Sequence, residues 1–368
     1  MNLDIKAYVT SDIRHSPYLY SGLEILKSEG VVNSISIRPA GYYHRDRAVI
    51  NNGCINRVNR PYPYSIKVKL YDRISKKQII VGFDFQDWSN IYSLHCLKQC
   101  DIIFKKAFEK RIVLELEKNY EVRILPLGIT QPTNNINPNY YYNIKLSKLL
   151  NRIIYSLLNP MKLYQFLTRK FKTNENNQLG SVRFENNNNI KIPPSYPYIF
   201  YQVEYYNWGE ASEAHQINIS RINLIRKLKN EFKNNFIGGI FYKYGELDGL
   251  SDCQTSYLSP ESYKVILKNA TIVISTNGFG ESVPWKIAQY LKLGKCIISE
   301  EFVHGLPEPL IKGTHYETFH DIDECVKICK TLLENANKIR KLEQNACLYY
   351  EQNVEPNMLL KNRLQSCI

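Results

Sequence analysis

Residues 270–300 constrain the fold more than any other stretch, because they read as strand, loop, helix and strand in that order. Ile272, Val273 and Ile274, followed by Ser275, form a short β-branched run suited to a buried strand of a parallel sheet. Residues 276–282 are polar and carry Gly278 and Gly280. Pro284 fits a first helical turn, where its missing N–H costs nothing. Ile287, Ala288, Tyr290, Leu291 and Leu293 then give an apolar stripe that Gly294 can end, and Cys296, Ile297 and Ile298 restart a strand. A loop at the C-terminal end of a parallel strand that feeds a helix N-terminus is a ready phosphate site. Lys286, in the first turn, adds a cation to it.

The same alternation runs through the rest of the chain. Strands at 5–9 and 31–37 flank a helix over 22–29, a Rossmann-like opening without the GxGxxG fingerprint, which argues against a dinucleotide there. The loop between holds Asp12, Arg14 and His15. Residues 42–64 are polar and Arg-rich and read as a surface loop. Runs at 65–71 and 78–85 read as two strands, spaced as a hairpin would be. Asp84 and Asp87 close the second, where a carboxylate can act as a general base; equally, Asp87 can cap the next helix and Asp84 can pair with an Arg. Their spacing does not suit a metal. Helix 91–100, strand 101–105, helix 107–119 and strand 122–125 follow.

After a linker rich in Asn, Pro and Tyr, strands at 198–203 and 236–241 bracket a basic helix over 216–232 with Arg221, Arg226, Lys227 and Lys229. Helices over 259–268 and 322–334 accompany the 270–300 unit, and 335–364 is helical in two pieces broken near Pro356. The expectation is an α/β protein of two Rossmann-like domains with parallel sheets facing a cleft. Their bounds are 1–142 and 198–350, with a basic amphipathic linker or insertion over 143–197. Residues 351–368 form a C-terminal helix able to pack back on the first domain.

The net charge of +13 permits acidic partners. Residues 143–172 contain Lys and Arg but no acidic residue, with leucines and isoleucines at helical spacing. Such a segment can lie on an anionic membrane surface, or pack as an ordinary helical pair with its cations in solvent. Nucleic acid is not expected, since the cations are dispersed and no RNP or helix-turn-helix pattern occurs. Nine Cys without a CxxC pair, and few His, give no zinc spacing and suit reduced thiols. With no signal-peptide pattern and no apolar run of membrane-spanning length, a cytoplasmic location, peripheral at the membrane, is expected.

Residues 284–299 resemble the helix of group 1 GT-B glycosyltransferases, whose pattern runs Lys, apolar, any, Glu, Tyr, Leu, Ala, any, Gly, Lys, Pro, apolar, Ile, Ser. Residues 319–325 and 345–350 are similar to that family's later segments, and 100–105 and 124–129 to its first-domain strands. The resemblance implies that the second domain binds a nucleotide sugar as co-substrate, with no further cofactor and no metal. Lys286 then meets the diphosphate, while Gly278, Glu281 and Ser282 occupy the loop that meets phosphate and sugar hydroxyls. Glu281 can instead cap the helix, and Trp285 reads as a packing residue. Gln289 stands where the family has the Glu that holds the ribose hydroxyls. An alignment on Gly278, Phe279 and Gly280 would instead put Asn277 and Trp285 at the two Glu positions of the family. Related sequences often put an Arg after the strand at Gln202, where this chain has Glu204 nearby.

The implied chemistry is departure of a nucleoside diphosphate, its charge met by Lys286, the helix N-terminus at 282–285, and Arg221 or Arg226. An inverting enzyme also needs a base for the acceptor hydroxyl, for which Asp12, His15 and Asp87 are candidates; a retaining enzyme needs none. The expectation is a glycosyltransferase acting on a glycan or lipid-linked acceptor. The alternative is a decayed GT-B fold that serves as a binding or scaffold protein.

Overall fold

The computed structural model describes residues 2–9, 16–39, 46–60, 62, 64–131, 141–143, 145, 146, 149, 150, 153 and 196–367. The expected loop residues Asp12 and His15, and nearly all of the basic linker or insertion over 143–197, lie outside them.

The first unit runs β1 (Leu3–Val9), α1 (Ser16–Ser28), β2 (Ser34–Pro39), β3 (Asp46–Asn51), β4 (Cys54–Asn59), β5 (Ser65–Asp72), β6 (Gln78–Asp84), β7 (Ile91–Ser93), α2 (Leu94–Gln99), β8 (Ile102–Lys105), α3 (Lys110–Asn119) and β9 (Arg123–Pro126). Its main sheet has the order β2-β1-β5-β6-β8-β9. The expected parallel sheet is modified at one strand: β5 is antiparallel to both β1 and β6. The reason is local. Only residues 73–77 join β5 to β6, too few for a crossover, so the pair must be a hairpin. The region read as a surface loop from 42 to 64 is also corrected. It holds the β3–β4 hairpin, turned at Asn52 (φ 49°) and Gly53 (φ 79°), and β3 pairs with β7 in a small separate sheet.

The second unit runs β10 (Ile199–Glu204), α4 (Ala211–Phe232), β11 (Phe236–Phe241), α5 (Pro260–Asn269), β12 (Ile272–Ser275), α6 (Lys286–Lys292), β13 (Cys296–Glu300), β14 (Glu317–Phe319), α7 (Ile322–Leu333), α8 (Ala336–Tyr349) and α9 (Pro356–Gln365). Its sheet, β11-β10-β12-β13-β14, is parallel throughout. The near-continuous apolar strands follow from this, since helices cover both faces. Ile225, Leu228, Cys325 and Cys329 of α4 and α7 fill one side; Ile266, Leu267, Ile287, Leu291 and Ala346 of α5, α6 and α8 fill the other. All nine cysteines are free thiols.

The last helix returns to the first unit. Leu359, Leu360 and Leu364 of α9 share a core with Leu19, Leu23 and Leu26 of α1. Gly22 permits the approach, for a Cβ there would sit 2.4 Å from the Pro356 carbonyl oxygen. Arg363 fixes the crossing by pairing with Glu308 at 2.8 Å and donating to the Pro126 carbonyl at 3.3 Å. A second tie joins Gly305, whose N–H donates to the Phe108 carbonyl at 2.9 Å.

Candidate active site

A cavity of about 750 Å³ lies between the two units. The first supplies Tyr64, the loop 85–88 and Lys106; the second supplies the C-terminal ends of β10 and β12, Arg221 and the 278–286 stretch. This is the crevice where a parallel α/β sheet places its ligands.

Two cations define it. Arg221, on α4, is 4% exposed and lies with its guanidinium 4.3 Å from the Tyr206 ring centre. It donates to the carbonyls of Glu204 (3.0 Å) and Asn277 (3.4 Å) and to the Tyr206 hydroxyl (3.2 Å). Lys286, half-buried at the start of α6, donates to the Gln202 carbonyl and sits 5.5 Å from the Tyr263 ring centre. Burial chiefly, with the Arg221 charge adding to it and Glu204 opposing, lowers its ammonium pKa to about 7. Among the described residues neither cation forms an ion pair. Of the carboxylates beside the cavity, Glu204 pairs with Lys243 at 2.8 Å and Asp87 with Lys106 at 2.7 Å, while Glu300, behind the loop, feels the Arg221 charge without pairing with it. Burying cations that meet only neutral acceptors is costly, and an entering phosphate offsets that cost.

The loop that links β12 to α6 differs from expectation. The helix starts at Lys286, so Pro284 precedes its first turn. The Ser282 N–H already donates to the Phe279 carbonyl at 3.2 Å. Gly278 and Ser282 do line the cavity, as expected of a donor loop. Glu281 does not. It is exposed, has φ 54°, and faces a second hollow of about 340 Å³ behind the loop, together with Glu213 and Glu300. It caps no helix either, since α6 has no side-chain cap. Gln289 lines neither hollow, and its buried Oε1 has no hydrogen-bond partner among the described residues. Trp285, read as a packing residue, is 45% exposed at the cavity wall.

Asp87 is the one expected base among the described residues that reaches the cavity. It is not the cap of α2, a role taken by Ser93, whose Oγ accepts the Cys96 N–H at 3.3 Å. Asp84 is buried beneath and pairs with Lys105, not an Arg, at 3.1 Å, while the Tyr62 hydroxyl lies 2.8 Å from both its oxygens. The Asp84 carboxylate also accepts the Gln86 N–H at 3.0 Å, which fixes the turn that presents Asp87. Arg226, an alternative to Arg221 in sequence, is turned to the surface and pairs with Asp252 at 2.6 Å.

Three residues at the site escaped sequence reasoning. Tyr206 and Trp208 pack on Phe279 with ring centres 4.7 and 4.8 Å away, building the aromatic wall beside Arg221. Their signal was available: a Tyr-Tyr-Asn-Trp-Gly run directly after a buried strand marks a ligand loop. Lys106 was hidden beside Lys105, because only the pleat decides which of the two enters the core.

Two Rossmann-like α/β units with an anion-suited cavity between them are the GT-B architecture, the class of protein that fold and cavity define. No family model and no curated protein matches the chain. Among solved structures it is similar to WaaG, a glycosyltransferase involved in lipopolysaccharide biosynthesis, at 10% identity over 72% of this chain and 63% of that one, TM-score 0.40. It is also similar to TarM, at 9% identity over 87% of this chain and 66% of that one, TM-score 0.39. A third is Anabaena HepE, in complex with UDP-glucose, at 15% identity over 46% of this chain and 49% of that one, TM-score 0.34. The chain thus spans less than two thirds of the length of each. No helix among the described residues is long and apolar enough to cross a membrane.

Proposed function

We propose that the chain is a glycosyltransferase that moves a sugar from a nucleotide-sugar donor to a glycan or lipid-linked acceptor. The observation that carries this reading is the pair Arg221 and Lys286, two cations held against neutral partners in one interdomain cavity. As the bond between sugar and diphosphate breaks, negative charge grows on the leaving diphosphate. Both cations are already in place to meet it, without a metal. Asp87, across the cavity on the first unit, serves as base for the acceptor hydroxyl once Lys106 shares its charge with the incoming substrate. The enzyme works in the cytoplasm, with the 143–172 segment as its contact to an anionic membrane.

A thermal-shift screen over UDP-, GDP-, CMP-, ADP- and dTDP-sugars tests the donor. A ligand at about 100 times its dissociation constant stabilises by roughly 2.7 kcal/mol; no shift with any of them sinks the proposal. Gln289, outside the cavity, favours a second reading, a binding or scaffold protein that has lost transfer. Binding of a nucleotide sugar without release of nucleoside diphosphate, in the presence of glycan and lipid-linked acceptors, would support it.

A further inference from the structure

The loop 278–282 is held in an uncommon shape. Gly280 (φ 60°, ψ 28°) and Glu281 (φ 54°) are consecutive left-handed residues, and only the first is glycine. Such a pair persists only where the surroundings over-determine it. The surroundings here grip Gly280 through the two peptide units that flank its Cα. The Gly280 N–H donates to the Glu213 carboxylate, from the first turn of α4. The Gly280 carbonyl accepts from His304 Nε2 at 2.7 Å, and His304 is 6% exposed. A carbonyl can only accept, so Nε2 carries the proton. The next residue, Gly305, is tied to Phe108 of the first unit. Trp88 covers Gly280 itself, where an added Cβ would lie only 3.0 Å from its ring. Both ends of the loop, Gly278 and Ser282, line the cavity, and the Gly278 N–H closes it by donating to the Ser282 carbonyl at 3.2 Å.

We propose that Glu213 and His304 are positioning residues: by holding the peptide units on either side of Gly280 they keep the loop in its left-handed turn, and so place Gly278, Ser282 and Lys286 around an entering diphosphate. Neither residue lines the interdomain cavity, so neither touches the ligand there. The inference rests on the anion site proposed above, but not on which nucleotide or sugar is bound.

Hydrogen exchange over 278–286 and titration with inorganic pyrophosphate test it together. Glu213→Ala and His304→Ala should speed exchange in the loop; the first, which loses a charge-assisted hydrogen bond, should weaken pyrophosphate roughly tenfold or more, and the second, which loses an ordinary one, about fivefold to tenfold. Glu213→Gln keeps an acceptor oxygen, and His304→Gln keeps a donor at the ε position. Both should stay within about threefold of the native protein, a rescue that a general loss of stability would not show. Unchanged loop exchange in the alanine variants overturns the proposal, and so does faster exchange with undiminished pyrophosphate binding. A native protein that fails to bind pyrophosphate overturns it as well. If pyrophosphate behaves as expected but no nucleotide sugar binds, the glycosyltransferase reading fails and the positioning role stands.

Discussion

Lys286 donates its ammonium hydrogen bond to the carbonyl of Gln202, so the cation of α6 is anchored on the strand beside the one that leads to it. The bond fixes where the charge sits without neutralising it. Burial then works against the charged form. The site is therefore poised to gain from a bound anion, and the gain is linked to protons.

That linkage has a definite sign. The Lys286 pKa is lowered from 10.5 to about 7. Between those values the unfolded chain holds a proton that the folded chain has released, so stability rises with pH there. Lys286→Met should flatten this slope in urea unfolding measured from pH 7 to 10. A phosphate ligand restores the proton, so its affinity should fall above pH 7, by at most about tenfold per unit. Calorimetry in two buffers of different ionisation enthalpy should show proton uptake at pH 8 that disappears in the variant.

Arg221 and Arg226 lie one and a half turns apart on one basic helix and should behave differently. Arg221→Ala removes a buried cation from the cavity and should weaken pyrophosphate or nucleotide binding by roughly tenfold or more. Arg226→Ala breaks an exposed pair with Asp252 and should change binding by less than about twofold. Equal losses in the two titrations would place the anion elsewhere.

The Asp84–Lys105 pair is 1% and 0% exposed. Asp84→Ala strands an ammonium in the core and should cost about 3–5 kcal/mol in urea unfolding. Replacing both by apolar residues of similar volume should cost less than the single change, because no charge is left unpaired.

Gly22→Ala puts a methyl group against the Pro356 carbonyl, where α9 crosses α1. A loss of about 1–3 kcal/mol is expected from the forced shift. Hydrogen exchange should localise it, with faster exchange over 356–365 and an unchanged second sheet.

Much of this was legible in the chain. The β12–loop–α6–β13 unit reads from residues 270–300 because periodicity switches from a short apolar run to a helical stripe and back. What failed did so for identifiable reasons. The β3–β4 hairpin was missed although Asn52-Gly53 is a hairpin turn, because its strands are short and half-polar. The reversed β5, by contrast, was legible in the short connection over 73–77, whose spacing reads as a hairpin, and not in any strand pattern. Glu281 is placed at the donor by the family resemblance, but a resemblance does not reveal a left-handed turn, which points its side chain to the other side of the loop. Arg221 and Arg226 are equivalent by composition; only the loop that follows β10 selects one of them.

On the proposed function, a nucleotide sugar places its diphosphate against Lys286 between the two units. Titration calorimetry of the native protein and of Lys286→Ala, with the nucleotide sugar that gives the largest thermal shift, tests it most directly. Saturable binding by the native protein and its loss in the variant are expected. Binding that survives the substitution undiminished would contradict it.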